Sequence, residues 1–273
     1  FNFSSETKEA SIINNFEESD FIELRIIGTG SFFRAILIFH IEKEELFVIK
    51  QPYGLKEEHS KLLDREIENY KNINYPLLPK FYGIIEGKRF PIIEFINGKT
   101  LKNIEEMNLN QSDKCTIIFQ LLMIFNYLHK NKFVYRDLKP NNVMINEQKR
   151  VFLIDFDRMI RISENSEVSK EEEEALRTVD FSSIFVSPEV NEGKVSYSND
   201  IYSLKSLILY INNEKYPDEK TVRKNELYKE QSTISELIES FYIDNCKQID
   251  ISVIPKDPEI LSNLGEMHEK EDY

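Results

Sequence analysis

Residues 133–157 read Phe-Val-Tyr-Arg-Asp-Leu-Lys-Pro-Asn-Asn-Val-Met-Ile-Asn-Glu-Gln-Lys-Arg-Val-Phe-Leu-Ile-Asp-Phe-Asp. The pattern predicts a polar loop followed by a hairpin whose second strand, Val151 to Ile154, delivers Asp155 at its end. The loop carries Asp137, Lys139 and Asn142. A carboxylate able to take a proton, a cation, and two oxygen donors suited to a hard metal ion therefore fall within one short stretch. Asp and Asn in loops also cap turns without further purpose, so spacing carries more information here than residue type.

Phosphoryl transfer from ATP needs such a set, because its transition state spreads charge over phosphate oxygens and is stabilised by positioning and by Mg²⁺ and cationic groups. Tyr135-Arg136-Asp137-x-Lys139-x-x-Asn142, then Asp155-Phe156 after one hairpin, resembles the catalytic loop and metal-binding segment of eukaryotic protein kinases. The resemblance implies an α+β, bilobal kinase fold. It would have an N-terminal antiparallel five-stranded sheet plus one helix, and a mainly helical C-terminal lobe. It gives Asp137 the substrate hydroxyl proton, Asn142 and Asp155 the Mg²⁺ ions, and Lys139 the γ phosphate. Lys139 suits a Ser/Thr kinase, and Tyr135-Arg-Asp with Asn141-Asn142 looks like the tyrosine-kinase-like or divergent Ser/Thr members.

Composition bounds the possibilities. A chain of 273 residues, 41% hydrophobic, suits one large domain or two lobes with a sizeable core. A net charge of −13 argues against nucleic acid or an anionic membrane as the main partner and favours a basic protein substrate. Cys115 and Cys246 are too few for a disulfide framework or a zinc site, so a reducing, cytoplasmic home is expected. The longest apolar stretch, Ile117 to Phe125, contains Gln120, so no membrane span is expected; nor is a signal peptide readable. Phe1 in place of Met is what a processed, trimmed or fragmentary product shows.

Residues 1–20 form a polar lead-in segment, residues 21–96 the expected N-terminal lobe and residues 97–273 the C-terminal lobe. Ile22 to Ile27, Arg34 to His40 and Leu46 to Lys50 alternate as antiparallel strands. The first turn, Gly28-Thr29-Gly30-Ser31-Phe32-Phe33, lets backbone approach a phosphate, although two glycines also simply make a hairpin turn. It resembles the kinase glycine-rich loop, with Phe33 where that pattern has its third glycine, a change that narrows or stiffens the turn. By the same resemblance Gly28, Gly30, Ala35, Val48, Lys50, Glu94, Ile96 and Met144 bind ATP: Ala35 lies above the adenine, the backbone of Glu94 and Ile96 bonds it, and Ile93 guards the back of the pocket. Lys50 takes the α and β phosphates and pairs with Glu66, ten residues before Pro76, on an amphipathic helix over 56–72. Glu68 competes for that pairing on spacing alone.

A short helix over Leu101 to Met107 and a long apolar one from Ser112 to Asn131, capped by Ser or Asp, precede the catalytic loop. After it, residues 158–186 make a long polar stretch ending in Ser187-Pro188-Glu189, which resembles the end of a kinase activation segment. Arg136, Thr178 and Ser182 are then regulatory: Thr178 falls at the usual activating phosphosite, Arg136 pairs with its phosphate, and Ser182 lies beside Asp137. Asp200, in a helix running on to Ile211, is expected to anchor the catalytic loop through backbone hydrogen bonds. Beyond about 211 the lobe is expected to be divergent or truncated, since no arginine follows Arg223 to meet Glu189. Phe33, the missing late arginine and Asp157, where the family has glycine, motivate an alternative, a nucleotide-binding pseudokinase or scaffold; a small-molecule kinase is a third.

Overall fold

The computed structural model describes residues 14–30, 32–54, 57–162, 184–187, 195–217 and 233–254. Two compact units emerge, the first running to Asn74 and including Pro79–Phe95, the second formed by Tyr75–Leu78 and the residues from Ile96 on.

The first unit is a sheet with one helix. Strands β1 (Asn14–Phe16), β2 (Phe21–Thr29), β3 (Phe33–His40), β4 (Glu45–Pro52), β5 (Phe81–Ile85) and β6 (Phe90–Glu94) lie in the order β1-β5-β6-β4-β3-β2. The five strands expected are the antiparallel set β2 to β6. A sixth comes from the lead-in segment: β1 runs parallel to β5, pairing Phe16 with Ile85. Three residues of mixed character carry no periodic signal, so the strand is legible only once β5 offers an edge.

Period-two alternation sorts the strands onto two faces. Ile36, Ile38, Phe47, Ile49 and Ile92 build one, closed by Phe16. On the other, Phe33 packs against Leu63 and Ile67 of helix α1 (Glu57–Asn72). Each such aliphatic side chain contributes about 1.5–3 kcal/mol by leaving water.

The second unit is built on helix α2 (Gln111–Lys130), which is buried on nearly every side, Ile117, Phe119, Leu122, Ile124 and Phe125 being fully enclosed. Its cap is Asn110 rather than Ser112 or Asp113: the Asn110 side chain accepts from the Asp113 backbone N–H at 2.8 Å, and Asp113 accepts from the Asn110 N–H at 3.2 Å. Helices α3 (Tyr197–Asn213) and α4 (Ile234–Asn245) pack on α2. Leu101–Met107 is a 3₁₀ segment kinked at Asn103.

Three short strands, β7 (Gly98–Thr100), β9 (Val143–Asn146) and β10 (Val151–Leu153), form a sheet in the order β10-β9-β7, and β8 (Phe133–Val134) pairs with β11 (Ile160–Arg161). Gly98 is required there, since a Cβ would stand 2.5 Å from the Ile145 carbonyl oxygen. The stretch from Phe133 to Leu153 is thus a strand, a loop and a hairpin, held to α2 by Gln120. That buried side chain accepts from the Val151 N–H at 3.1 Å and donates to the Lys149 carbonyl at 2.9 Å.

Candidate active site

In the first unit Gly28, Ala35, Val48 and Lys50, four of the residues expected to meet ATP, fall on one face. Register pairs Gly28 with Ala35 and Ala35 with Lys50, so the three stand in a row across β2, β3 and β4. Val48 shares that face two residues on from Lys50. The Lys50 Nζ meets Glu66 Oε1 at 2.7 Å; the Glu66 side chain is fully buried and that of Lys50 is 13% exposed. Glu68, the competitor on spacing, lies at the surface against Lys71 and Asn72. The helix turns Glu66 inward with Leu63, Ile67 and Tyr70 and leaves Glu68 outside.

The turn is tightly closed. Gly30 N–H donates to the Phe33 carbonyl at 2.8 Å, and Tyr53 N–H to that of Phe32 at 3.0 Å. A Cβ at Gly28 would make an ordinary contact with Ala35, 3.6 Å away, and one at Gly30 would lie 3.5 Å from the Phe33 carbonyl oxygen. The protein's own packing does not demand glycine at either place. In β6 the Glu94 backbone N–H is taken by the Lys80 carbonyl at 2.9 Å, while its carboxylate accepts from the Lys80 N–H. Ile93 is buried on β6.

In the second unit the loop after β8 is held from beneath. Asp200, fully buried on α3, accepts the backbone N–H of Tyr135 and of Arg136, each at 2.9 Å, and contacts His129 Nε2 at 2.9 Å. Two backbone donors thereby find a carboxylate acceptor inside the core, a charge-assisted arrangement. Arg136 takes a left-handed conformation, φ 71°, as does Asp155, also at 71°. Non-glycine residues in that region are sparse and cluster where function over-determines the backbone.

Asp137 is nearly buried and receives two donors on one oxygen. Lys139 Nζ lies 2.7 Å from Asp137 Oδ2, and Asn142 Nδ2 donates to the same oxygen at 2.9 Å and to the Asp137 carbonyl at 2.9 Å. The Asn142 carbonyl accepts the Ile154 N–H at 2.9 Å, stitching the loop to the end of the hairpin. Tyr135 adds a second stitch: its hydroxyl donates to the Ile154 carbonyl at 2.5 Å, and its ring meets Phe156 edge-on. Burial, then the charges of Asp137, Asp155 and Asp157, push the Tyr135 phenol well above its ordinary range, so it stays a donor. Met144 lies half-buried on β9 opposite Phe152, and Ile96 is buried just before β7.

Tyr135, His129 and Asp157 are the residues that sequence reasoning undervalues. Leu128-His129 is visible as a helix end, but the partner of His129 lies 71 positions away. Asp157 is buried beside the loop rather than exposed. Thr178, Ser182 and Glu189 lie outside the described residues. Among those described, no helix is long and apolar enough to cross a membrane, and no group of three or more His, Cys, Asp or Glu side chains is placed to hold a metal ion alone.

A model of the protein kinase domain family matches residues 21–268. The chain belongs to the protein kinase family. The match extends well past Ile211, where the motif resemblance stops. The kinase is 25% identical over 213 residues to the carbon catabolite-derepressing protein kinase of Candida glabrata, covering 75% of this chain and 33% of that one. It is 27% identical over 220 residues to a probable serine/threonine-protein kinase, YbdM, of Bacillus subtilis, covering 77% and 75%. It is 24% identical over 258 residues to an Aurora kinase of Debaryomyces hansenii, covering 91% and 60%. The first of these is about three times as long as the stretch matched, and the kinase spans a third to a half of several such relatives.

Proposed function

We propose that the kinase phosphorylates Ser and Thr hydroxyls of protein substrates, basic ones by preference, using ATP and Mg²⁺ in a cytoplasmic setting. The observation that carries this is the convergence on Asp137 Oδ2 of Lys139 Nζ and Asn142 Nδ2, at 2.7 and 2.9 Å, in a loop tied to Ile154, the residue before Asp155.

Asn142 and Asp155 supply hard oxygen donors, the type that Mg²⁺ prefers alongside phosphate oxygens and water. The pair therefore fits the ion. When bound, Mg²⁺ neutralises charge on the phosphates. Asp137 accepts the proton of the substrate hydroxyl as its oxygen bonds to the γ phosphorus and the bond from that phosphorus to the β-γ bridging oxygen breaks, releasing ADP. Lys139 offsets negative charge on the γ phosphate, and Lys50, oriented by Glu66, binds the α and β phosphates. Gly28, Gly30, Ala35, Val48, Met144 and the backbone of Glu94 and Ile96 are the groups assigned to ATP. A phosphate on Thr178, paired with Arg136, is the switch we assign, and Ser182 is assigned a part at the substrate hydroxyl by the resemblance alone; full activity of Thr178→Ala would overturn the switch.

Turnover of ATP on a generic basic protein, beside Asp137→Ala with its fold checked, tests the reading. Unchanged turnover in that variant rejects it. Asp157, buried where the family has glycine, favours a second reading, a nucleotide-binding pseudokinase. An added carboxylate beside the metal donors, on a residue without glycine's freedom, biases that segment. Binding of ATP in a thermal-shift assay with no phosphate transfer to any substrate selects it.

A further inference from the structure

We infer that Phe33 is a positioning residue for Lys50: its ring fills the space where the family's turn has glycine, clamps helix α1 to the sheet and caps the Lys50 ammonium, holding the Lys50–Glu66 pair closed before any nucleotide arrives. The inference rests on the reading of Lys50 as the phosphate-binding cation for its catalytic consequence only.

Phe33 opens β3, opposite Pro52 of β4, two residues from Ala35, which itself stands opposite Lys50. Its side chain therefore projects from the same face as the Lys50 side chain. It is 6% exposed and packs on Leu63 and Ile67, the residues that flank Glu66 on the inner stripe of α1. The Lys50 Nζ lies 5.5 Å from the centre of the ring, within range of attraction between an ammonium and the ring's negative face. The His59 ring, one turn earlier on α1, comes within 6.4 Å of it. One ring thus touches the turn, the helix and the cation.

A glycine at this position offers none of these contacts, so in such a turn the helix and the lysine are held by other means. Here the backbone is pinned, with Gly30 N–H on the Phe33 carbonyl and Tyr53 N–H on that of Phe32, which fixes the direction in which the Phe33 side chain leaves the strand. The Lys50 ammonium, largely buried, thus lies between a buried carboxylate and an aromatic face, and each favours the charge.

The full chain, without nucleotide, is treated with an amine-acylating reagent and labelling at each lysine is followed by peptide mass spectrometry. In Phe33→Leu, which keeps apolar bulk and removes the ring face, Lys50 labelling is expected to rise roughly 2- to 30-fold, the range spanned by contacts of this type. Phe33→Tyr, which keeps the face, should stay near wild type. Lys114, paired with Glu214 and 11% exposed, reports general loosening and should not change. Phe33→Gly should raise Lys50 labelling further and speed amide exchange along α1. Wild-type labelling in Phe33→Leu overturns the inference, as does an equal rise in Phe33→Leu and Phe33→Tyr. Inactivity of the wild-type chain on every protein substrate would remove the phosphotransfer reading and leave the labelling result standing. Turnover together with unchanged labelling would do the reverse.

Discussion

The Tyr135 hydroxyl donates to the carbonyl oxygen of Ile154, the residue immediately before Asp155, at 2.5 Å. The start of the loop after β8 and the end of the hairpin, 19 positions apart at these residues, are joined by one partly buried hydrogen bond. Because burial holds the phenol well above its ordinary range, the hydroxyl keeps its proton, and so stays a donor, at neutral pH.

Tyr135→Phe removes the donor and leaves the ring. The orphaned Ile154 carbonyl should cost about 1–3 kcal/mol of stability in urea unfolding, the penalty for a buried group left without its partner. Turnover should fall through weaker binding of Mg²⁺, seen as a raised requirement for the ion, because Asp155 follows the carbonyl directly. Equal Mg²⁺ dependence in the two proteins would show that the hydroxyl has no such part.

Asp200→Ala strips the acceptor from two backbone N–H groups and the partner from His129. Amide exchange at Tyr135 and Arg136 should accelerate by orders of magnitude, and stability should drop by about 2–5 kcal/mol, at or above the range for buried donors left unmade. Asp200→Asn retains an acceptor and should recover part of both. Protection at Tyr135 and Arg136 that survives Asp200→Ala would contradict the anchoring.

Lys50→Met leaves the Glu66 carboxylate buried without its cation. Breaking a buried pair from one side destabilises by about 3–5 kcal/mol, whereas replacing both partners with apolar groups is close to neutral. Lys50→Met with Glu66→Leu should therefore be more stable than Lys50→Met alone, measured by denaturant midpoint, while neither variant transfers phosphate. A double variant no more stable than the single one would mean that Glu66 is sustained by something other than Lys50.

Burial raises the Tyr210 phenol from 10.0 to about 12, and its hydroxyl donates to the carbonyls of Leu101 and Lys102 at 2.7 and 2.9 Å. Above pH 10 the unfolded chain loses this proton while the folded chain keeps it, so the folded state binds more protons. Stability is therefore fully present below about 10 and falls as pH rises toward 12. Tyr210→Phe should cost about 1 kcal/mol at neutral pH and flatten the alkaline fall, without abolishing it. Burial also raises Tyr82, Tyr135, Tyr197 and Tyr216. Unfolding midpoints between pH 9 and 11.5, wild type against variant, check the sign.

Much of the molecule is legible in the residues alone, because the strongest signals are local. Alternation over Phe33–His40 and Glu45–Pro52 specifies strands, the apolar run of α2 specifies a core helix, and the order of Asp137, Lys139, Asn142 and Asp155 specifies one loop and one hairpin. These follow from side-chain period and turn chemistry, which do not require knowledge of distant partners. Tertiary structure alone decided three things. It chose Glu66 over Glu68, since the rotation of α1 against the sheet determines which carboxylate is inside. It enlisted Asn14–Phe16 as a strand, since a segment without period becomes one only where β5 leaves an edge to fill. It turned Phe33 inward onto α1 and Lys50, since strand alternation assigns the ring a face but not the helix that covers it. Local pattern sets what each segment can be; burial against remote segments sets which of its side chains meet.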